Sequence, residues 1–188
     1  MGTINVTPVF VLAGDATFTV ANGEGKHYTF HVWKSEPNQQ FPNPAHFIEV
    51  LTGPDNTTDY TYIGKVRIYP NNNPVIHLTG KSKYKPGDTI VKVADWALRV
   101  IWQAQYRGYK VPMAYSIRHS GNCGKCGRPL TTPASLDTGL GPDCAAELGV
   151  EWGERMEESM PQHAFPYSGH NDANNTAHPG HPNNHGDK

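Results

Sequence analysis

Hydrophobic and polar residues alternate from residue 9 to residue 33, the pattern of strands with one buried face. Within this stretch, two apolar runs flank the turn sequence NGEG and predict a β-hairpin. The apolar positions of the hairpin are Phe18, Val20, Tyr28, Phe30 and Val32. The segments HFIEVLTG, YTYIGKVRIYP and VIHLTG predict further strands, separated by turn residues. The pattern therefore predicts an antiparallel sheet of about four to six strands within residues 1–80.

The hydrophobic period changes in the segment KPGDTIVKVADWALRVIWQAQ. Its apolar residues recur at spacings of three and four, which places them on one face of a helix over about residues 87–106. That face consists of Ile90, Val93, Ala94, Ala97, Leu98, Ile101 and Trp102. Asp88 is the predicted N-cap and Gly108 the predicted end. We expect this helix to pack over the sheet, with Trp96 in the core, so that residues 1–115 form an α+β domain.

Residues 159–188 have a different composition, with few apolar side chains and many Asn, Gly and Pro. Such a segment buries too little apolar surface to offset the entropy of the chain, so we predict a disordered, His-rich tail. Its histidines predict at most a weak affinity for metal ions. They are His163, His170, His178, His181 and His185.

Composition indicates a soluble chain: 37% of the residues are hydrophobic and the net charge is −1. No run approaches the ~18 apolar residues of a membrane span. The start of the sequence lacks the basic region of a signal peptide. Three cysteines, two of them in a C-x-x-C, do not form a secreted disulfide framework. We therefore expect a cytoplasmic location and no membrane partner.

The small net charge hides a basic centre. Residues 60–130 carry twelve Lys or Arg against two acids, whereas residues 131–188 carry nine acids against two bases. A centre this basic attracts polyanions, although it could equally neutralise the acidic flanks within one fold. The candidate nucleic-acid-binding residues are Lys81, Lys83, Lys85, Arg107, Lys110, Lys125 and Arg128.

All three cysteines lie in the segment HSGNCGKCGRPLTTPASLDTGLGPDCAAELG. Cys123 and Cys126 have the spacing and the neighbouring glycines of a zinc knuckle, in which two thiolates hold one ion from a tight turn. Cys144 follows Gly-Pro-Asp, so we place it in the first turn of a helix, where free N–H groups stabilise a thiolate. A redox pair would instead open a helix, which Pro129 disfavours.

A tetrahedral Zn²⁺ needs a fourth ligand. His119 lies four residues before Cys123, at the end of the strand-like segment VPMAYSIRH, and is the predicted ligand. Asp143, a tail histidine or a water molecule are the alternatives. We thus predict a treble-clef-like zinc module over residues 116–158.

The segment HSGNCGKCGRPLTTPASLDTGLGPDC resembles a small zinc-finger domain of unknown function found in bacteriophage and mobile-element proteins. The shared pattern is H-x3-C-x-x-C-G-R-x-L-T-x-P-x-S, followed by G-[IL]-G-P-x-C. The resemblance implies that His119 is a ligand and that the protein acts in the cytoplasm of a host cell. It implies no particular activity.

Two functions remain open. The basic centre and its interspersed tyrosines indicate an accessory protein that binds DNA or RNA. The alternative is a zinc-stapled interaction module that docks on a host enzyme or defence protein. Catalysis is disfavoured because the sequence has no G-x-S-x-G, no phosphate-binding loop and no H-E-x-x-H.

Overall fold

The seven strands of the protein form one sheet. The structure is a computed structural model and describes residues 2–39 and 42–150. The strands, in chain order, are β1 (Thr3–Ile4), β2 (Asp15–Asn22), β3 (His27–Lys34), β4 (His46–Leu51), β5 (Tyr60–Ile68), β6 (Pro74–His77) and β7 (Tyr115–His119). The helices are α1 (Pro8–Val11), α2 (Thr89–Arg107), α3 (Pro133–Thr138) and α4 (Pro142–Glu147). In space the strands are ordered β1-β7-β2-β3-β4-β5-β6.

The predicted hairpin and long helix are confirmed. Strands β2 and β3 pair in antiparallel register around the NGEG turn. Helix α2 begins after Asp88 and ends at Gly108, whose φ of 61° is the left-handed conformation that glycine adopts readily. The apolar face of α2 packs against one face of the sheet, where the largest fully buried side chains are aromatic and branched. They include Phe10, Phe18, Phe30, Ile48, Ile63, Leu98 and Ile101.

Two features differ from the strand prediction. The segment from residue 9 begins as helix α1 rather than as a strand, because the Thr7 hydroxyl caps it and Pro8 occupies its first turn. The sheet is also mixed rather than antiparallel. Strand β7 inserts between β1 and β2 and runs parallel to β1. Its Ile117 is fully buried in the main core, which explains why this strand joins the sheet.

The predicted tail at residues 159–188 lies outside the described residues, as does the end of the predicted zinc module after residue 150. Among the residues that the structure describes, no helix has the length and apolar character needed to span a bilayer.

Candidate metal centre

The sulfur atoms of Cys123, Cys126 and Cys144 lie within 4.8 Å of one another. All three thiols are free of disulfide bonds. Tetrahedral coordination at Zn–S distances of about 2.3 Å places sulfurs about 3.8 Å apart, so a small contraction of this cluster fits one ion. Cys123 is buried, Cys144 is partly buried and Cys126 is exposed, so the cluster opens to solvent on one side.

A tight turn presents the first two cysteines. The N–H of Cys123 donates to the carbonyl of Arg128 over 2.8 Å, and the N–H of Gly127 donates back to the carbonyl of Cys123 over 2.9 Å. Asn122 and Pro129, which flank the turn, form an antiparallel bridge that closes it. Gly127 has a φ of 71°, a conformation that side chains disfavour. The knuckle predicted from C-G-K-C-G is thus a local hydrogen-bonded structure.

Helix α4 presents the third cysteine. Gly141 is its N-cap and Pro142 occupies the first position, so Cys144 lies in the first turn, as predicted. The preceding helix α3 is capped by Thr132, whose hydroxyl accepts from the N–H of Ser135. Helices α3 and α4 therefore lead the chain back to the knuckle, so that Cys144 lies close to Cys123 and Cys126.

Helix α1 and the start of β2 pack against the segment that carries the cysteines. A methyl group built on Gly124 would lie 2.6 Å from Phe10 Cδ2, and one built on Gly139 would lie 2.4 Å from the same atom. The N–H of Asp15 donates to the carbonyl of Gly124 over 2.7 Å. A small second core then surrounds the buried cysteine. It consists of Ala13, Cys123, Leu140 and Ala145.

The cysteines differ in pKa because of where they lie. Burial alone would raise the pKa of Cys123, but main-chain N–H donors from Gly141, Lys125 and Cys126 outweigh it and lower the pKa to about 7. Burial, followed by the neighbouring sulfurs Cys126 and Cys123, raises the pKa of Cys144 to about 12. Each thiolate raises the pKa of the thiols next to it, so the three cysteines do not all ionise readily. A bound cation offsets the repulsion between the thiolates and lowers those pKa values.

His119 ends strand β7 beside the cluster but contributes no atom to it. The group of ligand atoms that converge among the described residues contains three sulfurs and no His119 nitrogen. Its Nδ1 accepts from the N–H of Gly121 over 3.0 Å, and its Nε2 lies 2.7 Å from the carbonyl of Leu136. A carbonyl only accepts, so the ring proton is on Nε2 and the lone pair is on Nδ1. The assignment of His119 as a ligand stays a prediction.

The predicted basic residues lie on several elements of the described chain. Lys81, Lys83 and Lys85 are exposed in the loop before α2. Arg107 ends α2, and Lys110 follows it. In the knuckle, Arg128 is exposed, whereas the ammonium of Lys125 pairs with Glu147 of α4. Asp143, the alternative ligand, is exposed beside Cys144.

Sequence reasoning missed Phe10 and Asp15 as supports of the cluster. Phe10 is fully buried, and its ring lies 5.5 Å from the ring of His119. The available signal was Thr7-Pro8, which is typical of a helix N-terminus and would have predicted α1. Nothing local in the sequence connects residue 10 to residue 124, since that contact arises from the position of β7.

The model of a family of unknown function, DUF6011, matches residues 114–149. The match contains strand β7, the three cysteines and helix α4. It spans well under half of the chain and carries no activity with it. No curated protein and no solved structure matches the chain.

Proposed function

We propose that this protein is a zinc-stapled nucleic-acid-binding protein. The convergence of three cysteine sulfurs within 4.8 Å is the observation that carries the metal part of the proposal. Three thiolates favour a soft or borderline ion over Mg²⁺ or Ca²⁺, which take oxygen ligands. A closed tetrahedral set is typical of structural zinc. The role as an accessory protein of a phage or mobile element rests only on the resemblance of the cysteine motif.

His119 is the proposed fourth ligand, and its hydrogen bonds suit that role. Zinc-binding histidines usually donate from the nitrogen that does not bind the metal, often to a main-chain carbonyl. Nε2 of His119 has that arrangement with Leu136. To coordinate through Nδ1, the ring would exchange its hydrogen bond from Gly121 for the metal. Zinc would then fasten the end of β7 to the knuckle and to α4.

The nucleic-acid part of the proposal rests on charge. Across residues 2–39 and 42–150 there are fourteen Lys or Arg against eleven Asp or Glu, an excess of three positive charges. The excess is concentrated after residue 60, and the three lysines of the loop before α2 are all exposed. Exposed lysines of this kind bind phosphates by releasing counterions.

Two measurements test the proposal separately. Elemental analysis of protein purified without chelators should give one zinc per chain, and Cys126→Ser should release it and destabilise the segment from about residue 119 to 150. Fluorescence anisotropy should detect binding to short DNA or RNA at ~50 mM salt. A preparation that holds iron or no metal would overturn the zinc assignment. Absence of binding to every oligonucleotide would favour the alternative, an interaction module for an acidic protein partner.

A further inference from the structure

The sheet face opposite α2 carries a row of aromatic side chains. Strand pairing places Trp33 beside Phe47, and Phe47 beside Lys65. The alternate residues Val32, Ile48 and Val66 are buried in the core under α2, so the first three point to the opposite face. Tyr62 shares this face, since it pairs with Glu49, two residues from Phe47. We name Trp33, Phe47 and Tyr62 the aromatic row.

The rings of the aromatic row are in contact with one another and lie outside both cores. Trp33 and Phe47 stack with centroids 4.4 Å apart and an interplanar angle of 25°. The Phe47 and Tyr62 centroids are 6.2 Å apart. All three side chains are half-buried, and none packs against either core cluster of the described residues. The aromatic row therefore presents ring surface on the outward face of the sheet. Its rings take no part in the packing of either core.

Positive charge gathers at one side of the aromatic row. Lys65 Nζ lies 5.5 Å from the Phe47 ring centroid, and Arg67 follows on the same face of β5. The loop that carries Lys81, Lys83 and Lys85, here called the lysine loop, also adjoins the row. The N–H of Lys83 donates to the carbonyl of Tyr62 over 3.3 Å. The Thr79 hydroxyl also donates to the Tyr62 hydroxyl over 3.4 Å.

On the side toward β2 the aromatic row meets a carboxylate, since Asp15 pairs with Trp33, and Glu49 of β4 pairs with Tyr62. His31 lies between two carboxylates, with Glu49 at 2.8 Å from Nδ1 and Asp15 at 2.7 Å from Nε2. Two carboxylates and one imidazole leave this side without excess positive charge. A polyanion on this face would therefore run along the β5 and β6 side of the rings and avoid β2.

We infer that the aromatic row is a stacking platform for single-stranded nucleic acid, with Lys65, Arg67 and Lys83 facing its phosphates. Partly exposed rings stack on unpaired bases of any sequence, and neighbouring cations track the backbone. A duplex keeps its bases stacked inside and has no free base faces to offer to the rings. An acidic peptide would use the lysines but would gain nothing specific from the rings. This inference rests on the proposed nucleic-acid binding and names its surface and its ligand class.

The test uses the full-length, zinc-loaded protein and fluorescent oligonucleotides of about 12 nucleotides, the length that one small domain covers. Oligo-dT and oligo-rU are the single-stranded probes, and a duplex of equal length is the comparison. Trp33→Leu and Phe47→Leu keep an apolar side chain on the sheet but remove the rings. Each should weaken single-strand binding about fivefold or more, while zinc content and circular dichroism stay unchanged. Lys65→Gln should reduce the log–log salt slope by about 0.7.

Tyr115→Leu is the matched control. Tyr115 is a 39% exposed ring on the α2 side of the sheet, where it packs 5.2 Å from Trp96, and its loss should leave binding unchanged. Trp33→Phe retains a ring and should bind like the unaltered protein. This variant separates stacking from folding defects.

The outcomes distinguish the platform from the broader proposal. If the protein binds single strands but both leucine variants bind equally well, the platform is wrong and nucleic-acid binding stands. The same holds if the duplex binds more tightly, if Trp33→Phe loses as much as Trp33→Leu, or if Tyr115→Leu is the variant that weakens binding. If no oligonucleotide binds, the proposed function and the platform both fall.

Discussion

Nε2 of His119 donates to the main-chain carbonyl of Leu136 over 2.7 Å, so the last residue of β7 is tied to helix α3. If the lone pair on Nδ1 then coordinates zinc, His119→Ala should weaken zinc binding as much as Cys126→Ser does. The loss should exceed the roughly 10- to 100-fold that removal of an outer hydrogen-bonding partner costs. Competition with a chromophoric chelator measures it.

His119→Cys is the informative companion, because a thiolate at the same position should retain the metal. Normal zinc affinity in His119→Ala would exclude His119 as a ligand. The fourth position would then belong to Asp143 or to a histidine of the C-terminal tail.

The close approach of Phe10 to the knuckle predicts a sharp contrast between two glycines. Gly124→Ala places a methyl group 2.6 Å from Phe10 Cδ2 and should lower the free energy of unfolding by about 1–3 kcal/mol. Gly141→Ala adds its methyl group in open space at a φ of −73° and should cost far less. Denaturant unfolding of the zinc-loaded protein measures both. Equal effects of the two substitutions would contradict the packing of Phe10 under the cluster.

The unequal thiols predict how the metal-free protein titrates. Because the pKa of Cys123 is lowered to about 7, the first thiolate should appear near neutral pH, and the last, Cys144, near 12. The stabilisation from the Cys123 thiolate is present above the ordinary thiol pKa of 9.0 and is lost as pH falls through about 7. Ultraviolet absorbance of the thiolates follows the first step, which lies below the pH at which tyrosines ionise, and Cys123→Ser should remove it. Zinc binding at about pH 8 should then release fewer than three thiol protons.

The imidazole of His31 predicts a second pH dependence. Burial lowers the pKa of His31, but its hydrogen bonds and charge interactions with Glu49 and Asp15 outweigh burial and raise it above 6.5. The stability from this cluster is fully present below pH 6.5 and is lost as pH rises through the raised value. NMR titration should show the shift directly, and Glu49→Gln or Asp15→Asn should reduce it. A His31 pKa at or below 6.5 in the unaltered protein would contradict the two ion pairs.

The exposed lysine loop predicts a strong salt dependence of nucleic-acid binding. Replacing Lys81, Lys83 and Lys85 together with Gln should flatten the log–log salt slope by about two to three units if all three contact phosphates. The loop is exposed, so thermal stability should not change. Lys26→Gln combined with Lys92→Gln removes two exposed lysines from outside the loop and should change the slope much less. Equal changes in the salt slope of the two variants would indicate that nucleic acid is attracted by the overall charge of the protein and not by contacts with the loop.

The sequence predicted those elements whose pattern is complete within a short window. The α2 face repeats over five turns, and the cysteine turn is defined by Cys123, Cys126 and their glycines, so both were predictable. The two-residue strand Thr3–Ile4 has no period to detect, and its partner lies more than a hundred residues later. The same distance separates Asp15 from Gly124. Contacts that depend on where a distant strand inserts leave no local signal, and the support of the cluster consists of such contacts.

Strand β7 is both the start of the family-matched segment and an interior strand of the sheet. Cutting the chain before residue 114 would therefore leave β1 and β2 with open hydrogen-bonding edges and would remove the strands that flank β7 from the isolated cysteine segment. The cysteine segment, moved into another protein, would need a sheet that offers β7 a parallel neighbour on one side and an antiparallel neighbour on the other. For genetic exchange and for protein engineering alike, the unit that can be transferred intact includes the N-terminal sheet together with the cysteine cluster.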